Sequence, residues 1–504
     1  MSYTSPFAEV TIPEVDVFTH IFGNLSEEDA ARPAITEVNT DTTITYGELR
    51  DRALSVAGAL AQRGIGKGDV VALQIPNSIN YATALLGIAR SGATVSPLGA
   101  LLNRSDLENL LKLSGAKLYI GTTDVEEMPQ IFSGEIPPLA AKGFAAPDVD
   151  ISPDDLFAIP FSSGTTGVSK GVMLTHSNIV SNIEQTGHMF IENEIPDHSN
   201  FLCPLPFTHI YGMTTQLLCQ LAHGHQVFSM PKFDLDAFLG AHSKHKIVMT
   251  FIAPPLAVAL AKHPAVKKED FESSRLMISG AAPLDNELAR AVEQRLDTNL
   301  VQGYGMTETS PVTHVGLKGK SQPGSIGFVV PNTEFKIFEL ESNNEVPEGE
   351  PGELTIRGPQ VTKGYLNNEE ATREALIGDG WLRTGDIARV DDDGTVYIVD
   401  RAKEVIKYKG YQVAPAELEA LLLTHPDITD AGVVGVYRDG LEIPRAFVVK
   451  REGAELTESE IMRWVAERVT PYKKIRAVDF IDEIPKNPTG KILRRELRDI
   501  PFEG

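Results

Sequence analysis

A chain of 504 residues is longer than one hydrophobic core supports, and its 42% hydrophobic and 23% charged content is that of a globular protein of two or more domains. The formal net charge of −23, from 46 basic and 69 acidic residues, argues against a nucleic-acid or anionic-membrane surface. Two cysteines, Cys203 and Cys219, write no disulfide framework, the first ten residues lack a signal peptide's basic and apolar regions, no apolar run spans a bilayer, and the last residues carry no peroxisomal or prenylation signal. The expectation is a cytoplasmic protein with no transmembrane segment and no nucleic-acid partner.

In chain order, the apolar spacing of Leu49, Leu54, Ala57 and Leu60 predicts a helix over 44–60, followed by a buried strand over 70–75. The alternation repeats with a helix over 81–90, a strand over 93–98, a helix over 105–113 and a strand over 117–121. Strands alternating with helices imply parallel, doubly wound sheets. Residues 124–154, rich in Pro and acidic side chains, read as a surface loop. Further strands are expected at 201–205, 226–230, 247–252 and 275–279. From about 320 the texture changes to short β-like runs with Gly and Pro turns, as in a small antiparallel sheet or barrel. The last hundred or so residues read as a separate α+β set, with helices from Pro415 to Leu423 and after Thr457, where Thr457 and Glu460 have capping-box spacing.

Between the two runs of alternation lies F-S-S-G-T-T-G-V-S-K-G, residues 161–171. Glycines let backbone N–H groups turn toward an anion, hydroxyls add donors and Lys170 supplies a mobile positive charge, a combination that suits nucleotide phosphates. It is not a Walker A loop, because no Gly-Lys pair is followed by Ser or Thr at the required spacing. Gly/Ser/Thr clusters also mark ordinary strand connections. Five later stretches look like loops at strand ends, where a doubly wound sheet holds its ligands. S-G-A-A-P (279–283) leaves room for a flat ring. Q-G-Y-G-M-T-E (302–308) offers Tyr304 to a base and Glu308 to Mg²⁺. W-L-R-T-G-D ends in Asp386, suited to accept hydrogen bonds from a ribose diol, although an Asp in a turn is common. The 400–413 stretch packs Arg401, Lys403, Lys407 and Lys409 into an acidic chain, and P-K-N-P-T-G-K places Lys491 in a Pro/Gly turn.

In this order, the stretches resemble the adenylate-forming superfamily of acyl- and aryl-CoA synthetases, luciferases and peptide-synthetase adenylation domains, over nearly the whole length. L-P-F-T-H-I-Y (205–211), M-P-K-F (230–233), G-Y-G-M-T-E-T-S-P-V (303–312) and Y-K-G-Y-Q-V-A-P-A-E-L-E (408–419) most resemble 4-coumarate–CoA ligase-like enzymes. Ser169 departs from the proline usual there. The resemblance implies an α/β fold: a large N-terminal domain (1–400) of two doubly wound sheets with a β-barrel-like part near 320–399, and a small mobile α+β C-terminal domain (401–504) turning about Lys403.

It also implies an acid–thiol ligase using ATP, Mg²⁺ and coenzyme A, acting as a monomer or homodimer on a small carboxylic acid. That acid is 4-coumarate or a related aromatic acid, with a fatty acid as the alternative; a non-catalytic acyl-nucleotide sensor is a further one. A luciferase-type oxygenase would share every adenylation motif, and a peptide-synthetase module would need a carrier domain. By matching position, Lys491 serves adenylate formation, and the Lys407–Gln412 face serves thioester formation after rotation. Ser162, Ser163, Gly164, Thr165, Thr166, Gly167 and Lys170 hold phosphates, Thr307 meets the α-phosphate, and Glu308 with Thr166 binds Mg²⁺. Ala282, Gln302, Gly303 and Tyr304 flank the adenine, while Asp386 and Arg401 hold the ribose. The acyl pocket comprises His209 as its gate, Tyr211, Thr215, Ala281, Gly303, Pro311 and Val312. Lys232, Lys409 and Gly410 match coenzyme A contacts.

Overall fold

The computed structural model describes residues 2–126, 128–163, 169–340, 344–347, 349–402, 404–409, 411–438, 441–486 and 492–502. Among them, no helix is long and apolar enough to cross a membrane.

The strand–helix alternation builds two sheets. The first runs Leu174–Thr175, Leu156–Ala158, Thr94–Pro97, Val70–Gln74, Leu118–Gly121, Gln130–Phe132, parallel except at the Leu174–Thr175 edge. Its central strands are buried because helices cover both faces: every residue of Thr94–Pro97 and Leu118–Gly121 is buried, the polar Thr94 and Ser96 included. The helix expected over 44–60 is Tyr46–Ala61, set by a capping box between Thr45 and Glu48, while Ile44 belongs to the preceding strand. The expected 124–154 loop is only partly a loop. Gln130–Phe132 is the sheet's edge strand and Ile136–Ala141 is a helix, with Ile131, Ile136 and Leu139 in the core and Leu139 O accepting from Ser55 Oγ at 2.7 Å.

The second sheet has nine strands. Pro33–Glu37, Gln226–Ser229, Asn200–Cys203, Met249–Ile252, Leu276–Ser279 and Asn299–Gly305 form a parallel centre, with antiparallel strands at either edge. The 279–283 and 302–308 stretches therefore leave the carboxyl ends of adjacent parallel strands, where open α/β sheets hold ligands. The expected barrel-like part is a six-stranded antiparallel sheet that recruits Tyr3–Thr4 from the start of the chain and includes Glu334–Phe338, Gly352–Arg357, Trp381–Val390 and Val396–Arg401. Phe335, Ile337, Leu354, Ile356 and Val396 form its core.

The smaller C-terminal part is a three-stranded sheet, Ile428–Arg438, Leu441–Lys450 and Ala477–Phe480, packed by the helices Pro415–Leu423 and Glu458–Ala466. Thr457 and Glu460 make the expected capping box. A hairpin of Ile406–Tyr408 and Tyr411–Val413 precedes it.

Candidate active site

The Gly/Ser/Thr stretch is flanked by a pair of antiparallel strands. Phe161–Ser163 pairs antiparallel with Ser169–Gly171, so that Ser162 lies opposite Lys170. Gly164, Thr165, Thr166 and Gly167, and the Ser163 side chain, lie outside the described residues. The base is pinned on both sides: Val172 N donates to Pro160 O at 2.8 Å, and Leu366 N to Gly171 O at 2.8 Å. Facing it is Glu308, 5% exposed, whose Oε1 accepts from Ser162 Oγ at 3.1 Å and from the Tyr365 hydroxyl at 2.9 Å. The Lys170 ammonium lies 5.0 Å from the centre of the Tyr365 ring.

A second group forms where the antiparallel sheet meets the nine-stranded one. The Tyr304 hydroxyl donates to Asp386 Oδ2 at 2.6 Å, and Arg401 Nε lies 3.4 Å from Oδ1. Asp386 is not in a turn: it sits within the Trp381–Val390 strand, in register with Arg401 on Val396–Arg401. Burial, and then the Asp386 charge, push the Tyr304 phenol well above its ordinary pKa, so it remains a hydrogen-bond donor.

The third group packs around Tyr211. Tyr211 begins a π-helix, Tyr211–Leu218, an uncommon geometry found mostly at functional sites. Its hydroxyl donates to Ile278 O at 3.3 Å and its ring meets Phe251 edge-on. A Cβ on Gly280 would come within 2.9 Å of that ring, a Cβ on Gly303 within 3.2 Å of Ile278 Cγ2, and a Cβ on Gly305 within 2.0 Å of Pro311 O. Three glycines thus permit close packing of Tyr211, Ile278 and Pro311. Gln302 braces the loop after Ser279, accepting from Leu284 N at 2.9 Å and donating to Ser325 O at 3.2 Å. Ala281 in that loop has φ +70°, and Ala282 follows half-buried. Val312 is fixed by Asn182, which accepts from its N–H at 2.9 Å and donates to its carbonyl at 2.7 Å. Thr215 is buried, and its hydroxyl has no hydrogen-bond partner among the described residues. His209 lies exposed at the start of the π-helix, its Nδ1 accepting from Tyr211 N at 3.3 Å.

On the C-terminal side, Asp400 at the end of its strand accepts from Ala416 N, in the first turn of the Pro415–Leu423 helix, at 3.1 Å. Arg494 donates to Glu419 Oε2 at 2.6 Å and pairs with Glu404, next to Lys403. Near the chain's end, Lys486 bridges to Ile492 and Leu493 N donates to Pro485 O at 2.8 Å. A cleft of about 420 Å³ on this part is lined by Tyr408, Arg438, Leu441, Met462, Lys474 and Arg476, a cationic surface in an acidic protein.

Comparison with known proteins now decides the class. The AMP-binding enzyme family matches residues 25–366, and the AMP-binding enzyme C-terminal domain matches 417–491. The chain belongs to the AMP-binding enzyme family. It is 41% identical over 501 residues to 4-coumarate–CoA ligase 3 of Oryza sativa subsp. japonica, covering 94% of this chain and 90% of that one. It is 40% identical over 527 residues to 4-coumarate–CoA ligase 1 of Petroselinum crispum, covering 98% and 96%. ATP-bound MatB from Rhodopseudomonas palustris superposes with a TM-score of 0.89 at 28% identity, covering 97% and 99%. The chain is an AMP-forming acid–CoA ligase that uses ATP, Mg²⁺ and coenzyme A.

For this AMP-binding enzyme the structure brings together Ser162, Lys170 and Glu308; Tyr304, Asp386 and Arg401; and Tyr211 and Gly303, both against Ile278, while Pro311 packs on Gly305. The donor set suits Mg²⁺, which shares phosphate oxygens and keeps waters: among the described residues Glu308 Oε2 has no hydrogen-bond partner, and no cluster of three or more His, Cys, Asp or Glu is fit to hold a metal. Thr307 opens the short helix that carries Glu308. Lys232 is exposed ahead of the Leu235–His245 helix, away from these groups in sequence, and Lys409 is exposed with φ +50°. Lys403, Gly410 and Lys491, and the side chains of Lys407 and Gln412, lie outside what is described, although Lys407 and Gln412 pair across their hairpin. Sequence reasoning missed Tyr365 and the Glu419–Arg494 pair. The glycine before Tyr365 repeats the Gly-Tyr pattern of Gly303–Tyr304 and was the available signal.

Proposed function

We propose that this ligase activates 4-coumarate or a closely related aromatic acid, forming the acyl-adenylate and then the coenzyme A thioester. The observation that carries the reading is the π-helix Tyr211–Leu218, where Tyr211 packs directly on Gly280 and the buried Thr215 hydroxyl, without a hydrogen-bond partner among the described residues, is free to pair with a polar substituent on the acid. The rice and parsley relatives named for 4-coumarate support it.

In the first half-reaction the acid's carboxylate attacks the α-phosphorus of ATP and pyrophosphate leaves. Ser162, Lys170 and the hairpin tip bind the β- and γ-phosphates, Thr307 meets the α-phosphate, and Asp386 with Arg401 fixes the ribose. Lys491 places its charge between carboxylate and α-phosphate, where negative charge develops. Bound Mg²⁺ supplies charge neutralisation at the phosphates, with Glu308 and Thr166 as its protein oxygens. In the second half-reaction the C-terminal part, bounded near Lys403, turns to withdraw Lys491 and bring the Lys407–Gln412 hairpin to the adenylate. Lys232, Lys409 and Gly410 receive coenzyme A, and the Arg438–Lys474–Arg476 cleft suits its nucleotide phosphates. His209 gates the acyl slot. Every one of these residues comes from one chain, so a monomer or a homodimer of independent sites serves equally, and the two buried free thiols fit the cytoplasm.

The test is pyrophosphate release with ATP and Mg²⁺ across 4-coumarate, caffeate, benzoate, octanoate and palmitate, with and without coenzyme A. Cinnamate turnover that yields the thioester is expected. Preference for octanoate or palmitate overturns the aromatic assignment and leaves the ligase chemistry intact.

A further inference from the structure

Tyr365 has no part in the roles assigned above, yet it touches two of the groups that do. Its hydroxyl and that of Ser162 converge on the same oxygen of Glu308, at 2.9 and 3.1 Å. Two donors on Oε1 lock the carboxylate's rotation and leave Oε2 to face elsewhere. The same ring lies under the Lys170 ammonium at 5.0 Å, so one side chain contacts both the acid and the base of the phosphate site.

The backbone beneath it is held firmly. Asn178 Nδ2 donates to Pro359 O at 2.8 Å and to Val361 O at 3.0 Å, and Thr362 N donates to Glu308 O at 2.8 Å. Tyr365 bridges to Val172, and its N–H donates to Thr372 Oγ1 at 3.0 Å. Gly364, at φ +130°, has Thr372 within 2.5 Å of where a Cβ would stand, so the turn that aims the ring requires glycine. This much fixation around an aromatic ring would be unneeded for filling space alone.

We propose that Tyr365 is a positioning residue for adenylate formation: its hydroxyl orients Glu308 so that Oε2 faces the phosphate-bound Mg²⁺, and its ring holds Lys170 beside the phosphate hairpin. The proposal rests on the reading of Glu308 as the Mg²⁺ carboxylate. Outer partners of metal-binding carboxylates typically matter by about 10–100-fold in metal affinity or activity.

The experiment compares Tyr365→Phe, Tyr365→Leu and Glu308→Gln with the parent protein. Mn²⁺ binding is followed by electron paramagnetic resonance in the presence of α,β-methylene-ATP, beside the Mg²⁺ dependence of pyrophosphate release. Tyr365→Phe is expected to weaken Mn²⁺ binding about tenfold and raise the half-saturating Mg²⁺ by a like factor, with kcat recovering at high Mg²⁺. Thioester formation from supplied acyl-adenylate is expected to stay at the parent rate, which a fold defect would not allow. Tyr365→Leu adds a rise of about threefold in the KM for ATP through Lys170. If Glu308→Gln loses Mn²⁺ while Tyr365→Phe binds it normally, the positioning role is wrong and the Glu308 reading stands. If Glu308→Gln itself binds Mn²⁺ normally, the Glu308 reading falls. Equal loss of both half-reactions in Tyr365→Phe, unrelieved by Mg²⁺, makes the tyrosine purely structural and also overturns the proposal.

Discussion

The Tyr304 hydroxyl donates to the Asp386 carboxylate at 2.6 Å across 82 positions of sequence, while Arg401 approaches the other carboxylate oxygen at 3.4 Å. Asp386 is thereby fixed by neighbours on two strands of two different sheets, with little freedom to reorient when a ribose diol arrives. Asp386→Ala is expected to raise the KM for ATP by about tenfold to a hundredfold, the worth of hydrogen bonds to a charged group. Tyr304→Phe, which keeps the ring, should raise it by less, about threefold to tenfold. Initial-rate pyrophosphate assays measure both; an unchanged KM in Asp386→Ala would remove the carboxylate from the nucleotide site.

The division of labour between two lysines gives a second expectation. Lys491→Ala should lower adenylate formation by about a hundredfold or more, because a single positioned charge on a developing anion is worth that much. It should leave thioester formation from supplied acyl-adenylate near the parent rate. Lys407→Ala should do the reverse. Rapid-quench measurement of the two half-reactions separates them, and parallel losses in both variants would refute a rotating C-terminal part.

The motifs were legible in the sequence because their chemistry is local: a Gly/Ser/Thr hairpin tip, a Gly-Tyr-Gly run and a basic stretch in an acidic chain each stand out without partners. What they become was less legible. Gln302–Gly305 and Asp386 read as loops, since glycine and aspartate have low strand propensity, yet both lie in strands because neighbouring strands supply the pairing. Tyr3–Thr4 is a two-residue strand with no periodic signal, placed by Glu334–Phe338 across the length of the larger part. Residues 130–141 hide core contacts among prolines. Tyr365, 57 residues beyond Glu308, becomes its partner only when the hairpin base folds against it.

The buried charges beside Lys403 make stability depend on pH. Burial pushes the Asp400 carboxyl up to about 6 and the Glu419 carboxyl up to about 7, with Arg494 pulling both back down; Glu404 also faces Arg494. With folded values raised above the unfolded ones, the folded state binds more protons between about pH 4 and 7, so these two groups make stability fall as pH rises through that window. Arg494→Met removes the counter-charge, leaves Glu419 buried and unpaired, and should destabilise the C-terminal part by about 3–5 kcal/mol near pH 8. The loss should shrink toward pH 5 as Glu419 takes up a proton. Urea unfolding followed through Trp464 fluorescence in a Trp381→Phe background reports this part alone, since the chain has two tryptophans. A loss independent of pH would mean Arg494 acts through packing.

Tyr211 makes its own demand on Gly280. A methyl there would stand 2.9 to 3.1 Å from the Tyr211 ring, too close for the ring to stay where it is. The ring can yield only by giving up its 3.3 Å hydrogen bond to Ile278 O or by moving into the space proposed for the acid. Gly280→Ala should therefore raise the KM for 4-coumarate about tenfold, in line with overpacking costs of 1–3 kcal/mol. In a Tyr211→Leu background, where the smaller side chain leaves room for the methyl, the same substitution should change KM by less than about twofold. The two positions touch, so their effects should not add. Additive effects would place the Gly280 methyl against the nucleotide or the loop, and the Tyr211–Gly280 contact would then not define the acid's wall.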